Sequence, residues 1–196
     1  YEMLILKQQA QLQTMNLQLN PHFLYNILNI VNLQLIKNKQ YDCSEMINDL
    51  SQMVKYLLKS DDFMENFKTD LEYTTHYINI INRRYKNKYK VVFDIDPELY
   101  NYKVPKFFLQ PVIENVFVHA FEGIRRKGVL KVTCKIAGDK RVFIVEDNGK
   151  GIPPEDLALL NSDSNKSIGI SNVRNRIRFI YGDQYCLKID SEVDVG

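Results

Sequence analysis

The chain is 196 residues long, 45% apolar and 26% charged, with a formal net charge of +2. That length suits one large domain or two small ones, and the balance of residues is that of an ordinary globular protein. A charge this small, with no basic stripe, excludes nucleic-acid binding as the main task, and no run of about 18 apolar residues offers a membrane span.

Residues 1–19 are Gln-rich with widely spaced apolar positions, which predicts a helix entering from upstream. From Pro21 to about Lys37 the helical pattern is strong, and proline is welcome at a first helical position. Either Asn20 caps a new helix there or a longer helix is kinked beside His22. Leu19, Phe23, Asn26, Ile30 and Leu33 share one face, and Leu24, Ile27, Leu28, Val31 and Leu35 form a second apolar arc. His22 falls about 60° off the first face, on its shoulder. After a polar break at 38–42, Ser44 to about Lys59 predicts a second helix, hence an antiparallel hairpin. One hairpin has little core of its own, so pairing of two copies into a four-helix bundle is expected.

A linker begins at Ser60. Thr69 followed by Glu72 predicts a capping box opening a helix that runs to about Tyr85. His76 on that helix reads as structural or exposed. Beyond it the texture changes: a strand over 90–95, a helix over 104–121 with Pro105 in its first turn, and strands over 129–137 and 141–146 across a Gly138-Asp139 turn. The helix over 104–121 would turn Phe108, Val112 and Val116 toward the sheet. A glycine-rich loop at 147–151, short helix at 153–160, polar mobile stretch at 161–166, helix at 170–181 and strand at 185–190 complete the order. This predicts an α+β chain in two parts, 1–62 helical and 63–196 a mixed sheet covered by helices on one face.

Three motifs carry chemistry. Glu114, Asn115 and His119 put polar groups on one helix, Asn115 and His119 at i, i+4, and an Asn carbonyl can ligate a phosphate-bound metal without adding charge. In Asp147-Asn148-Gly149-Lys150-Gly151 the glycines allow close ligand approach, and Asp147 can accept from an exocyclic purine amine. In Ser167 to Arg176, Gly169 precedes a helix whose free N–H groups suit a phosphate, with Arg174 and Arg176 as nearby cations. Each alone is compatible with an ordinary turn or an exposed helix face. Their order is that of one nucleotide-binding domain.

Together they resemble the Bergerat (GHKL-type) ATP-binding fold shared by histidine kinases, gyrase-type ATPases and related chaperones. With Asn20-Pro21-His22-Phe23-Leu24-Tyr25-Asn26 and the 109–119 stretch added, essentially the whole chain resembles sensor histidine kinases of the LytS/YesM-like subgroup. The resemblance implies a homodimeric phosphotransfer region over 1–62 and an ATP-binding region over 63–196, its last strand truncated. His22 would be the phosphoacceptor, Asn115 a Mg²⁺ ligand and Asp147 the adenine reader. Gly149, Gly151 and Gly169 would shape the pocket and its lid at 153–168, and Glu114, His119, Asn172 and Arg176 would line or support it.

ATP and Mg²⁺ are then expected, with transfer from His22 to an aspartate of a response regulator and the segment 60–68 as hinge. Val118 stands where many such kinases have Lys, Ser167 where a Gly is usual, and Phe23 where the commoner class has an acid. The general base is therefore open, although a neutral imidazole already carries a free nucleophilic nitrogen. The rival readings are an ATP-hydrolysing switch and a degenerate dimerising scaffold. The chain reads as an excised cytoplasmic portion of a membrane receptor, joined to membrane only through a missing upstream segment. Its three dispersed cysteines, Cys43, Cys134 and Cys186, point to a reducing compartment.

Overall fold

The computed structural model describes residues 21–58, 62–161 and 168–196, without the side chains of Pro21, His22 and Ile168. The expected helix over 1–19, the choice between a cap and a kink at Pro21, and most of the 161–166 stretch lie outside the described residues. Two compact units divide the chain, Tyr1–Asp61 and Asp62–Gly196.

In the first unit, α1 (Pro21–Lys37) and α2 (Tyr41–Leu58) form a hairpin. The helix α2 starts earlier than Ser44, because the Gln40 carbonyl already accepts from the Ser44 N–H at 3.0 Å. Across the hairpin the Ser44 hydroxyl donates to Asn32 Oδ1 at 2.5 Å. On α1, Leu28 is buried and Leu24 and Leu35 are half-buried, so part of the second arc packs inward. Phe23, Ile30 and Leu33 of the first arc are exposed, Leu33 by 65%.

In the second unit, β1 (Met64–Asn66) pairs antiparallel with β3 (Lys103–Pro105), and α3 covers Phe67–Arg84. The expected capping box is not used: α3 starts at Phe67, whose N–H donates to the Tyr102 carbonyl at 2.8 Å, and Thr69 lies inside the helix. A partner distant in sequence thus replaces the local cap. Since Phe67 is completely buried, the expected hinge over 60–68 cannot reach beyond the start of β1.

The main sheet has the order β2 (Tyr89–Ile95), β4 (Gly128–Ala137), β5 (Lys140–Asp147), parallel between the first two and antiparallel across the Gly138-Asp139 turn. On β4, Gly128, Leu130, Val132 and Cys134 are all buried, the period of two expected of a strand with one covered face. Over them lie Phe67 and Ile78 of α3 and Leu109, Ile113, Val116, Phe117 and Phe121 from the segment after β3. Lys131 pairs with Glu146 and Lys135 with Asp94 elsewhere on the same strands, where the side chains are half exposed.

Three sequence expectations are corrected here. Residues 104–121 are not one helix: Val104 and Pro105 end β3, α4 spans Gln110–Asn115, and a π-helical turn covers Val116–Ala120. Proline is tolerated at the edge of the two-stranded sheet, and Pro111, not Pro105, takes the first helical turn. The core-facing residues are accordingly Leu109, Ile113, Val116 and Phe117, with Phe108 packed at the margin against Phe143 of β5; of the expected Phe108, Val112 and Val116, Val112 is the one outside this cluster. Residues 185–190 form no strand. Instead the Asn161 amide donates to the Ile189 carbonyl at 2.8 Å and accepts from its N–H at 3.3 Å, so one side chain takes the place of a neighbouring strand. Before this segment, α5 covers Pro154–Asn161 and α6 Ile168–Tyr181.

Candidate functional site

The centre is the end of α4 and its π turn. Such a turn inserts one residue into a helix, and Phe121 N–H bonds the Val116 carbonyl five residues back at 2.9 Å. The stacking of Asn115 under His119 assumed for a regular helix is therefore not the geometry present. His119 is exposed in the wide turn. The Asn115 Nδ2 donates to the Pro111 carbonyl at 2.7 Å. Only the NH₂ end of the amide can make that bond, so its carbonyl oxygen is turned away from the helix. A methyl placed on Gly169 would stand 3.7 Å from the same nitrogen, which puts the first turn of α6 beside Asn115.

The Asp147–Gly151 loop closes on the other end of this helix. Lys150 N–H donates to the Ala120 carbonyl at 2.9 Å, and a Cβ on Gly149 would meet that carbonyl oxygen at 2.5 Å. Gly151 has φ of +69°, and a Cβ there would overlap the Glu192 carbonyl. Asp147 Oδ1 accepts from the Gly149 N–H at 2.8 Å. Burial holds its carboxyl above the ordinary value, and the Gly149 bond partly opposes that rise. A half-buried carboxylate seated beside a glycine turn is suited to accept from a ligand amine.

The remaining expected site residues lie around this centre or away from it. Glu114 is exposed and faces α3: burial pushes Tyr77 up to about 12, and the Glu114 charge adds to the rise. Asn172 is exposed on α6. The Arg176 guanidinium lies over the Phe63 ring, 4.9 Å from its centroid, and Arg174 donates to the Leu160 carbonyl at 2.8 Å. Neither arginine is brought to the glycine loop by these contacts. His22 lies in α1, in the other unit, its side chain outside the described residues; the lid expected at 153–168 is described only through α5 and the start of α6.

Several supports were not foreseen. Arg126 donates to the carbonyls of Asn148, Gly149 and Asp194, each at 2.7 Å, and ties the loop to the C-terminal turn. Asn148 accepts from the Val129 N–H at 2.6 Å and donates to the Lys127 carbonyl at 3.1 Å. Nothing local in the sequence marks Arg126. Asn148 sat inside a motif already singled out, but its neighbours stood for the ligand chemistry. Among the described residues no group of three His, Cys, Asp or Glu could hold a metal ion. The donor set still fits a magnesium carried on phosphates, which keeps most of its ligands as phosphate and water and needs few from the protein.

Residues 10–89 match the family described as Histidine kinase, and residues 106–193 match the family described as Histidine kinase-, DNA gyrase B-, and HSP90-like ATPase. The chain is 32% identical over 193 residues to the sensor histidine kinase YesM of Bacillus subtilis, covering 98% of this chain and 33% of that protein. It is 30% identical to the sensor protein LytS of the same organism, over 95% of this chain and 32% of LytS. Histidine kinases stand in the description of both matched families.

The chain is also 30% identical to the sensor histidine kinase YpdA of Escherichia coli, over 89% of its own length and 31% of YpdA. It thus spans about a third of the length of each of these relatives. A solved histidine kinase domain from the Erythrobacter litoralis EL346 blue-light activated histidine kinase aligns with a TM-score of 0.44 and 17% identity, covering 81% of this chain and 75% of that one. Among the described residues no helix is long and apolar enough to cross a membrane. Cys43, Cys134 and Cys186 are free thiols.

Proposed function

We propose that this chain binds ATP and autophosphorylates on His22, then passes the phosphoryl group to an aspartate of a response regulator. The observation that carries the reading is the convergence on one helix end: Asn115 beside Gly169, and the Asp147–Gly151 loop seated on Ala120. Asp147 accepts from the adenine amine, while Gly149 and Gly151 let the loop lie close to its neighbours. Asn115 offers its carbonyl oxygen to Mg²⁺, which supplies charge neutralisation at the phosphates when bound. Glu114, His119 and Asn172 line the approach from the exposed side, and Arg176 supports α6 through its packing on Phe63.

Transfer forms a bond between phosphorus and a His22 ring nitrogen as the bond from the γ-phosphorus to the departing ADP oxygen breaks. Because this transition state is loose, the protein contributes mainly position and electrostatics. Residues 1–62 serve as the dimerising and phosphoacceptor part, 63–196 as the ATP-binding part. A second copy covers the exposed Phe23, Ile30 and Leu33 face of α1. The chain is the cytoplasmic part of a membrane receptor.

The test is incubation of the full chain with labelled ATP and Mg²⁺. An acid-labile phosphoprotein that disappears in His22→Gln supports the reading. Label surviving that substitution removes His22 from the mechanism. Steady ATP hydrolysis without phosphoprotein favours a conformational switch, and no nucleotide binding favours a scaffold.

A further inference from the structure

The Asp70 carboxylate, completely buried on α3, grips the turn from which α4 starts. Its Oδ1 accepts from the Phe107 N–H at 2.6 Å and its Oδ2 from the Phe108 N–H at 3.1 Å. Two successive N–H groups held by one charged group fix the plane of that turn. Within it Phe107 has φ of +58°, a left-handed conformation that a residue with a side chain adopts only when its surroundings impose it. The Phe107 ring also meets Tyr73 of α3 edge-on, centroids 5.1 Å apart.

From this turn to Asn115 there is little slack. The Leu109 carbonyl accepts from Val112 and Ile113 at 3.1 Å each, and both Leu109 and Ile113 are buried in the core. We propose that Asp70 is a positioning residue for the nucleotide site. It sets the seat of α4 and so the direction in which the Asn115 carbonyl oxygen points. This rests on the reading of Asn115 as a ligand of the nucleotide's magnesium.

Asp70→Asn is the discriminating variant. An amide keeps one accepting oxygen but sets an NH₂ against the second N–H, donor facing donor. The full chain is titrated with ATP in magnesium and again in chelator, at a temperature where both proteins remain folded. The expected result is a magnesium-dependent gain in affinity at least about fivefold smaller in the variant. Affinity in chelator, set by Asp147 and the glycine loop, stays within about twofold.

An unchanged magnesium gain overturns the proposal. So does an equal loss with and without the metal, which is what general loosening would give. Wild type that binds ATP with no magnesium gain removes the Asn115 role and this inference together, and wild type that binds no nucleotide ends the functional reading as well. If Asp70→Asn does not fold, amide exchange on the wild type decides. Slow exchange at Phe107 and Phe108 supports the clamp, and exchange as fast as in an open turn overturns it.

Discussion

Asn115 bonds its own helix through the Pro111 carbonyl, 2.7 Å from Nδ2, and by doing so commits its nitrogen inward and its oxygen outward. The bond decides which end of a symmetric-looking amide a ligand would meet. Asn115→Ala removes the outward oxygen and one helix-internal bond, an expected stability cost of only about 1 kcal/mol. The magnesium-dependent part of ATP affinity should be lost while chelator-phase affinity persists. Calorimetric titration with and without magnesium checks both, and an undiminished magnesium effect would refute the ligand role.

Asp147→Asn should act in opposite directions on binding and stability. Losing a charged acceptor is expected to weaken ATP binding by about 1.5–3 kcal/mol. The folded carboxyl is held above its ordinary value of 3.8 by burial. Its contribution to stability is therefore fully present below that value and lost as pH rises through the raised one. Without nucleotide, Asp147→Asn should thus gain stability relative to wild type as pH rises from about 4 to about 7. Melting curves of both proteins across that range test the sign.

Gly149 and Gly123 separate steric from conformational cost. A Cβ on Gly149 meets Ala120 backbone and side chain at 2.5 and 2.6 Å, whereas one on Gly123, at φ of +76°, meets nothing within 4 Å. Gly123→Ala should cost about 1 kcal/mol from the left-handed backbone alone. Gly149→Ala should cost about 1–3 kcal/mol and also displace the loop. Urea unfolding gives the first comparison and nucleotide affinity the second, which only Gly149→Ala should lower.

Thiol reactivity should divide the cysteines. Cys43 and Cys186 are exposed; Cys134 is buried under α3 and α4 in the core, which pushes its thiol up to about 12. A chromogenic disulfide reagent at neutral pH should label Cys43 and Cys186 in the native chain and Cys134 only after unfolding. Native labelling at Cys134 would contradict the packing of β4.

Residue pattern alone determined the α1–α2 hairpin, the β4–β5 hairpin across Gly138-Asp139, and the resemblance to histidine kinases, carried by the 20–26, 109–119 and 147–151 motifs. Those signals are local: periodicity of 3.6 or 2, a turn dipeptide, and residue types whose chemistry is tied to spacing. Only the tertiary structure decided that α3 opens on the Tyr102 carbonyl, that β3 absorbs Pro105, that the helix widens into a π turn after Asn115, and that Asn161 stands in for a strand beside Ile189. It also decided that Arg126 and Asp70, unremarkable in sequence, hold the two loops that meet this helix. Apart from the π turn, whose Phe121 N–H bonds five residues back, each case has a backbone group whose hydrogen-bond partner lies tens of residues away. No local pattern encodes a partner that folding alone brings within reach.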